Sequence, residues 1–169
     1  GQRGNEIPVS TTMTYQIGNT PSGTSAFEKR GIAVDVPVWD ATKCIQCNQC
    51  SYVCPHAAIR PVAMTEAEAA NAPEGMQMKD MTQMPGYKFA IVVSSYDCTG
   101  CGSCVNTCPD KVQAITMQNF EANADQQKYF DYAVTLEDKQ DVIDKFKLVS
   151  VKGSQFKQPL LEFSGACAG

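Results

Sequence analysis

The stretch that decides the fold is CIQCNQCSYVCP, residues 44–55, and its spacing recurs as CTGCGSCVNTCP at residues 98–109. In both stretches two residues separate each of the first three cysteines, and three more precede a fourth cysteine that is followed by proline. Each copy leads to an Ala-Ile pair, Ala58-Ile59 or Ala114-Ile115, and the second copy is two residues longer before that pair. The copies are therefore related halves of unequal length, and together they hold eight of the nine cysteines.

Length and composition bound what this chain can be. Its 169 residues suffice for one compact domain or for a small domain with extensions. A hydrophobic content of 43% and a charged content of 19% are typical of a soluble protein. The polar N-terminal stretch has no signal-peptide core, and no apolar run has the length of a membrane span. We therefore expect a cytoplasmic protein without a membrane partner, and the net charge of -4 disfavours nucleic acid as a partner.

Cysteines at such short intervals in a reducing compartment favour metal ligation over disulfides. Zinc is the competing metal, because separated CxxC pairs are typical of zinc ribbons. A zinc ion is filled by four ligands, however, and each copy here carries more cysteines than one CxxC pair. The doubled spacing instead matches the bacterial pattern that binds two [4Fe-4S] clusters.

In that pattern the fourth cysteine of each copy serves the other cluster, because a short loop can surround only one face of a cubane. We therefore expect crossed ligation, and no side chain is assigned a catalytic role. One cluster is predicted to be held by Cys44, Cys47, Cys50 and Cys108, and the other by Cys98, Cys101, Cys104 and Cys54.

The segments around the cysteines predict a repeated strand, loop, helix and strand. Residues rich in β-branched and aromatic side chains precede each copy, and Pro37 should confine the first strand to a sheet edge. Proline suits a first helical turn, so we expect a short helix after each Cys-Pro. The predicted strands cover 32–39, 59–64, 87–96 and 114–117. The fold class is α+β, a bacterial two-cluster ferredoxin-like fold with a pseudo-two-fold repeat, an insertion and extensions at both ends.

The chain is longer than two motifs and their strands require. Thr65 and Glu68 form a capping-box signature that predicts a helix stopped by Pro73. Farther on, Tyr129, Phe130 and Tyr132 are expected to pack inward from helical or irregular segments. The predicted regions are an N-terminal arm at 1–31, the two-cluster domain at 32–120 with an insertion at 60–86, and a C-terminal extension at 121–169.

Several residues have two readings. His56 follows Cys-Pro and either influences a cluster or is an ordinary, partly exposed histidine, which we favour. The methionines at 76–84 either fill packing gaps, which we favour, or form a partner surface. Cys167, near the C-terminus, is either a lone thiol or a ligand of a third metal site.

Residues 21–61, 94–109 and 153–169 together resemble one segment of pyruvate:ferredoxin oxidoreductase. The stretches PSGTSAFEKRGIAVDVPVWDATKCIQCNQCSYVCPHAAIRP, SSYDCTGCGSCVNTCP and GSQFKQPLLEFSGACAG carry the resemblance. In that family the segment is a ferredoxin-like domain that leads into a thiamine-binding domain. The resemblance implies that Cys167 binds a third [4Fe-4S] cluster close to thiamine diphosphate and Mg.

The implied reaction is the oxidative decarboxylation of pyruvate with coenzyme A in anaerobic metabolism. This segment would relay single electrons from the thiamine site and the proximal cluster to an external ferredoxin or flavodoxin, within a homo-oligomeric parent enzyme. Apolar neighbours would exclude water from the two clusters; they are Ile45, Val53, Ile59, Val105 and Ile115. The alternatives are a stand-alone, extended ferredoxin-type carrier and a domain whose metals only stabilise the fold.

Overall fold

A computed structural model describes residues 3–13 and 29–157 of this chain. A short 3-10 helix at Gly4–Glu6 opens the first range, and another at Ala124–Gln126 follows the fifth α-helix. The α-helices and strands are α1 (Val9–Thr12), β1 (Asp35–Trp39), α2 (Gln49–Tyr52), β2 (Ile59–Thr65), α3 (Glu66–Ala70), β3 (Lys79–Asp80), β4 (Tyr87–Val93), α4 (Ser103–Thr107), β5 (Ile115–Asn119), α5 (Phe120–Asn123), α6 (Gln127–Ala133), α7 (Gln140–Phe146) and α8 (Val151–Ser154). None of the helices in the described ranges is long and apolar enough to cross a membrane.

The strands form two antiparallel sheets whose pairing joins the two halves of the chain. Strand β1 precedes the first cysteine loop and pairs with β5, which follows the second loop; Trp39 lies opposite Ile115. Strand β2 follows the first loop and pairs with β4, which precedes the second; Ile59 lies opposite Val93. Strand β3 lies on the other side of β4. The four strands predicted around the motifs are confirmed, and β1 is an edge strand, as Pro37 requires.

Phe89, in the central strand β4, lies at the centre of the core and is completely buried. Its ring meets Trp39 edge-on at a centroid distance of 6.0 Å and Phe156 at 6.3 Å. Edge-to-face contacts of this kind are favourable beyond the area that they bury. The core therefore connects the β1–β5 sheet, the β2–β4–β3 sheet and the C-terminal extension through one aromatic side chain.

The helices near the motifs begin earlier than the sequence predicted. Helices α2 and α4 precede the fourth cysteines, whereas each Cys-Pro opens only a turn. In these turns the amide of Ala57 donates to the carbonyl of Cys54, and that of Gln113 to the carbonyl of Pro109. Ala57 and Gln113 then have φ values of 50° and 43°. The predicted helices after Cys-Pro are wrong, because a left-handed residue ends the turn before a second one can form.

The helix predicted in the insertion is confirmed as α3, which ends before Pro73. The Thr65 hydroxyl accepts from the Glu68 amide at 3.3 Å, and the Glu68 carboxylate accepts from the Thr65 amide at 2.8 Å. The same carboxylate pairs with Lys139 at 2.8 Å. This helix therefore has a complete capping box and is also bonded to the C-terminal extension.

Helices α6 and α7 pack apolar side chains against the core. Phe130, Val142 and Ile143 are buried, and Tyr129 and Tyr132 are partly buried against the same cluster, so their predicted inward packing is confirmed. Met76, Met78, Met81 and Met84 also pack there, which confirms the gap-filling reading.

Truncating Phe89 should destabilise the whole core. We expect Phe89→Ala to lower the free energy of unfolding by about 3–5 kcal/mol, because it leaves a cavity between Trp39 and Phe156. Val149→Ala is the control, since Val149 is 95% exposed and its loss should change stability by less than about 0.5 kcal/mol. Denaturant titration of both variants checks this, and similar losses in the two would contradict the central place of Phe89.

Candidate cluster-binding sites

The eight motif cysteines line two separate cavities. Each cavity takes three cysteines from one loop and the fourth from the other loop. The first is lined by Cys44, Cys47, Cys50 and Cys108. The second is lined by Cys54, Cys98, Cys101 and Cys104. These are the two groups into which the spacing pattern divides the cysteines.

Burial acts on several of these thiols. It raises the pKa of Cys104 to about 12 and also raises the pKa of Cys50 and Cys98, with neighbouring thiolates adding to the effect. Cys101 is exposed, and a hydrogen bond with the Ser103 hydroxyl lowers its pKa. Crowded, buried thiolates need compensating positive charge, which metal ions supply.

Backbone amides donate to sulfur at matching positions in the two halves. In the first cavity the Gln46 amide donates to Cys44 Sγ at 3.3 Å, and the Ala114 amide donates to Cys108 Sγ at 3.3 Å. The second cavity repeats both bonds. There the Gly100 amide donates to Cys98 Sγ at 3.4 Å, and the Ala58 amide donates to Cys54 Sγ at 3.3 Å. Donors of this kind stabilise thiolates and influence the potential of a cluster bound by them.

Left-handed residues turn each loop around its cavity. Gly100 and Gly102 have φ values of 72° and 75°, which glycine adopts without strain. At the corresponding positions of the first loop, Gln46 and Asn48 have φ values of 60° and 62°. A non-glycine residue in this region is strained unless its surroundings hold it.

Hydrogen bonds from distant segments hold both of these side chains. Gln46 is 1% exposed; its amide nitrogen donates to the Asp80 carbonyl at 2.8 Å, and its oxygen accepts from the Thr82 amide at 2.8 Å. Asn48 is also buried and donates to the Lys152 carbonyl at 2.9 Å. The insertion and the C-terminal extension therefore stabilise the first loop. Sequence reasoning missed Gln46 and Asn48, although aligning the two copies sets them against glycines.

Arg60 is a further residue that the motif did not reveal. Its guanidinium donates to Ser51 Oγ at 2.9 Å and to the side-chain oxygen of Gln155 at 2.7 Å. Burial lowers its pKa to about 10, while the thiolates of Cys54 and Cys50 act in the opposite direction. Arg60 therefore joins α2 to the C-terminal extension, and its positive charge acts on one cysteine of each group.

The remaining predicted site residues differ in their positions. His56 lines the second cavity and is half-buried, in a turn rather than in a helix. Ile59 and Ile115 are buried, and Val53 and Val105 are partly buried. Ile45 lines the first cavity, and its side chain is 55% exposed. Cys167 lies outside the described residues.

The cavities fit an iron-sulfur cluster by two observations. Each cavity is lined by four cysteines, and a [4Fe-4S] cluster takes one cysteine at each of its four irons. Trp39 lines the first cavity, and its buried Nε1 has no hydrogen-bond partner among the described residues. Cluster sulfur would bring acceptors into that cavity.

Comparison with known proteins agrees with this arrangement. A family model described as a 4Fe-4S dicluster domain matches residues 43–112, and one described as a domain of unknown function matches residues 1–33. Over 99% of its length, this chain is 49% identical to the pyruvate-flavodoxin oxidoreductase of Enterobacter agglomerans and 51% identical to the pyruvate:ferredoxin oxidoreductase of Moorella thermoacetica. The chain aligns over nearly its whole length with one segment of these two oxidoreductases.

That segment is a small part of each relative. The chain spans 14% of the two oxidoreductases and 8% of the pyruvate dehydrogenase [NADP(+)] of Cryptosporidium parvum, to which it is 48% identical. The resemblance to pyruvate:ferredoxin oxidoreductase is confirmed over nearly the whole chain. Residues 43–112, which match the 4Fe-4S dicluster model, belong to a mixed α/β domain that is similar to a segment of these enzymes.

Adding a methyl group at each loop glycine separates strain from crowding. A Cβ on Gly100 would lie 3.1 Å from the Asp35 carbonyl oxygen and 3.4 Å from Ala33 Cβ, whereas one on Gly102 would meet nothing within 4 Å. Both substitutions put an alanine in the left-handed backbone conformation, which costs about 1–2 kcal/mol. Only Gly100→Ala must also displace β1. We expect Gly100→Ala to lower the melting temperature and the iron content more than Gly102→Ala. Equal effects would show that conformation alone matters here.

Proposed function

We propose that this chain is the electron-transfer domain of a 2-oxoacid (pyruvate):ferredoxin oxidoreductase. The observation that carries the proposal is the pair of cavities, each lined by four cysteines, within the region matched to a 4Fe-4S dicluster domain. Homology to one segment of much longer oxidoreductases favours this role over the alternative of a stand-alone, extended ferredoxin-type carrier.

The proposed ligation is crossed between the halves. Cys44, Cys47, Cys50 and Cys108 would hold one [4Fe-4S] cluster, and Cys98, Cys101, Cys104 and Cys54 the other. The lining of the two cavities and the paired amide-to-sulfur bonds support this division. Each half is then incomplete alone, since it supplies ligands to both clusters.

We also propose a ferredoxin-like fold with pseudo-two-fold symmetry for the core of the chain. Reciprocal pairing supports it, because the strand before each loop pairs with the strand after the other loop. Left-handed residues at matching loop positions support it as well. The proposed regions remain an arm at 1–31, the two-cluster domain at 32–120 with its insertion at 60–86, and an extension at 121–169.

The residues of this chain would bind, tune and shield the redox groups. Bound [4Fe-4S] clusters supply sites that gain and lose one electron each. The cysteine thiolates hold them, and the backbone amides that point at sulfur stabilise negative charge. Ile59, Ile115 and Trp39 exclude water from the cavity walls, which strengthens these electrostatic effects.

The surrounding enzyme would perform the chemistry that yields the electrons. Pyruvate and coenzyme A would be converted to acetyl-CoA and carbon dioxide with the release of two electrons and one proton, at thiamine diphosphate and Mg held by other domains. Cys167 would contribute to a third [4Fe-4S] cluster near that site. The electron acceptor would be an external ferredoxin or flavodoxin, and the parent enzyme a cytoplasmic homo-oligomer with neither nucleic acid nor a membrane as a partner.

The proposal is tested first by cluster content. We expect anaerobic reconstitution of the chain to yield about eight irons and about eight acid-labile sulfides per chain, with a visible band that bleaches on reduction by dithionite. A zinc-loaded protein without sulfide would refute electron transfer. Clusters that form but cannot be reduced by dithionite would indicate that they only stabilise the fold.

Crossed ligation predicts which pairs of cysteine substitutions lose more iron together than either substitution loses alone. Cys54→Ala and Cys101→Ala should damage the same cluster, so the double variant should lose no more iron than Cys101→Ala alone. Combining Cys54→Ala with Cys47→Ala should instead damage both clusters and remove nearly all of the iron. Iron and sulfide analysis of the five proteins checks the scheme. The reverse pattern, with Cys54 and Cys47 acting together, would show that each loop binds its own cluster.

A further inference from the structure

Two lysines from outside the cysteine loops converge on the first loop. Lys79, on β3 of the insertion, donates from Nζ to the carbonyl oxygen of Cys44 at 2.8 Å. Lys152, on α8 of the C-terminal extension, accepts from Asn48 Nδ2 at its carbonyl at 2.9 Å. Both are half-buried. The segments that hold Gln46 and Asn48 therefore also bring positive charge to the first cavity.

The ammonium group of Lys152 has a defined position. Its Nζ lies 4.0 Å from the centroid of the Phe146 ring, and Phe146 packs against Phe156 at a centroid distance of 5.8 Å. Burial lowers the pKa of Lys152, and the thiolates of Cys47 and Cys44 oppose that change. Asn48, which bonds to the Lys152 carbonyl, lines the first cavity, and the thiolates of Cys47 and Cys44 interact with the Lys152 charge, so Lys152 lies beside that cavity.

The surroundings of the second loop are different. Lys29 pairs with Asp97, which immediately precedes Cys98, so the charges of this pair offset each other. Cys101 is exposed, and a side chain at Gly102 would meet open space. At the first cavity, Asp110 and Lys111 follow Cys108 and are exposed, and their opposite charges sum to zero. They therefore add no net charge to that of Lys79 and Lys152.

Such charges act unequally on two redox sites. Reduction adds one negative charge to a cluster, and a nearby cation stabilises the reduced form. The effect is larger for half-buried cations than for exposed ones, because water screens them less. Net charge, hydrogen bonds to sulfur and solvent exposure all influence cluster potentials.

We propose that Lys79 and Lys152 hold the reduction potential of the cluster at the first loop above that of the cluster at the second loop. The inference rests on the proposed function, since it requires that both clusters are bound. The lysines act through their charge and touch neither electron donor nor acceptor. The insertion and the extension thereby make two similar cysteine loops electrically unequal.

Arg60 provides an internal comparison. Its charge acts on Cys54 and Cys50, which belong to different groups of cysteines, so its loss should lower both potentials. Loss of Lys152 should lower only the higher potential, because its charge acts on Cys47 and Cys44, which both line the first cavity.

The test is a redox titration of the reconstituted full chain followed by electron paramagnetic resonance. We expect wild-type protein to give two midpoint potentials, and Lys152→Gln or Lys79→Gln to shift the higher one towards the lower while the lower one stays in place. Lys152→Arg should keep the wild-type values, because it retains the charge. Lys128→Gln is the control, since it removes an exposed lysine on α6. Repeating Lys152→Gln in the Cys54→Ala background should show the shift in the remaining first-loop cluster.

The outcomes separate this inference from the proposed function. Full iron and sulfide content with unchanged potentials in both lysine variants would overturn the inference and leave the electron relay intact. A shift of the lower potential, or a shift that Lys152→Arg reproduces, would overturn it as well, because the cause would then be packing. Failure of wild-type protein to bind clusters would instead refute the proposed function. Lys79 and Lys152 lie on different elements, so misfolding of one variant leaves the other as a test.

Discussion

The constraint on which the rest of the structure depends is the grouping of eight thiols around two cavities, each of which is lined by one cysteine from the opposite half. A thiolate is costly to bury unless positive charge and hydrogen bonds compensate it. The reciprocal strand pairing brings Cys54 to the second loop and Cys108 to the first, and it also sets the amides of Ala58 and Ala114 against those two sulfurs. The strand topology therefore brings together the same thiols that the proposed clusters would require.

The two halves nevertheless have different environments. The second loop uses glycines for its left-handed turns and lies open at Gly102, whereas the first uses Gln46 and Asn48, whose side chains bond to the insertion and to the C-terminal extension. Phe89 and Phe156 join that extension to the core. The additional segments thus do more than enlarge the domain, because they determine the shape, the solvent exposure and the charge around one of two otherwise similar loops.

Much of this arrangement could be predicted from local patterns. The four strands, the capping box of α3 and the inward side chains of α6 follow from alternation, capping chemistry and aromatic content. The helices after Cys-Pro could not be excluded in this way, because the left-handed residues that end those turns, Ala57 and Gln113, are not glycines. The exposure of Ile45 could not be predicted either, since an apolar residue between two cysteines gives no sign of which way the loop faces.

By itself, the sequence predicted the chemistry proposed for this protein: the spacing of the cysteines is that of thiolate ligands for two clusters, because short intervals limit which sulfurs can reach one metal centre. It also determined the kinship with pyruvate oxidoreductases, which extends over 99% of the chain. Only the tertiary structure decided how the first loop is stabilised and charged. Gln46, Lys79, Arg60 and Lys152 act across contacts between segments that are distant in sequence, and their partners exist only when β3 and α8 pack against the loop.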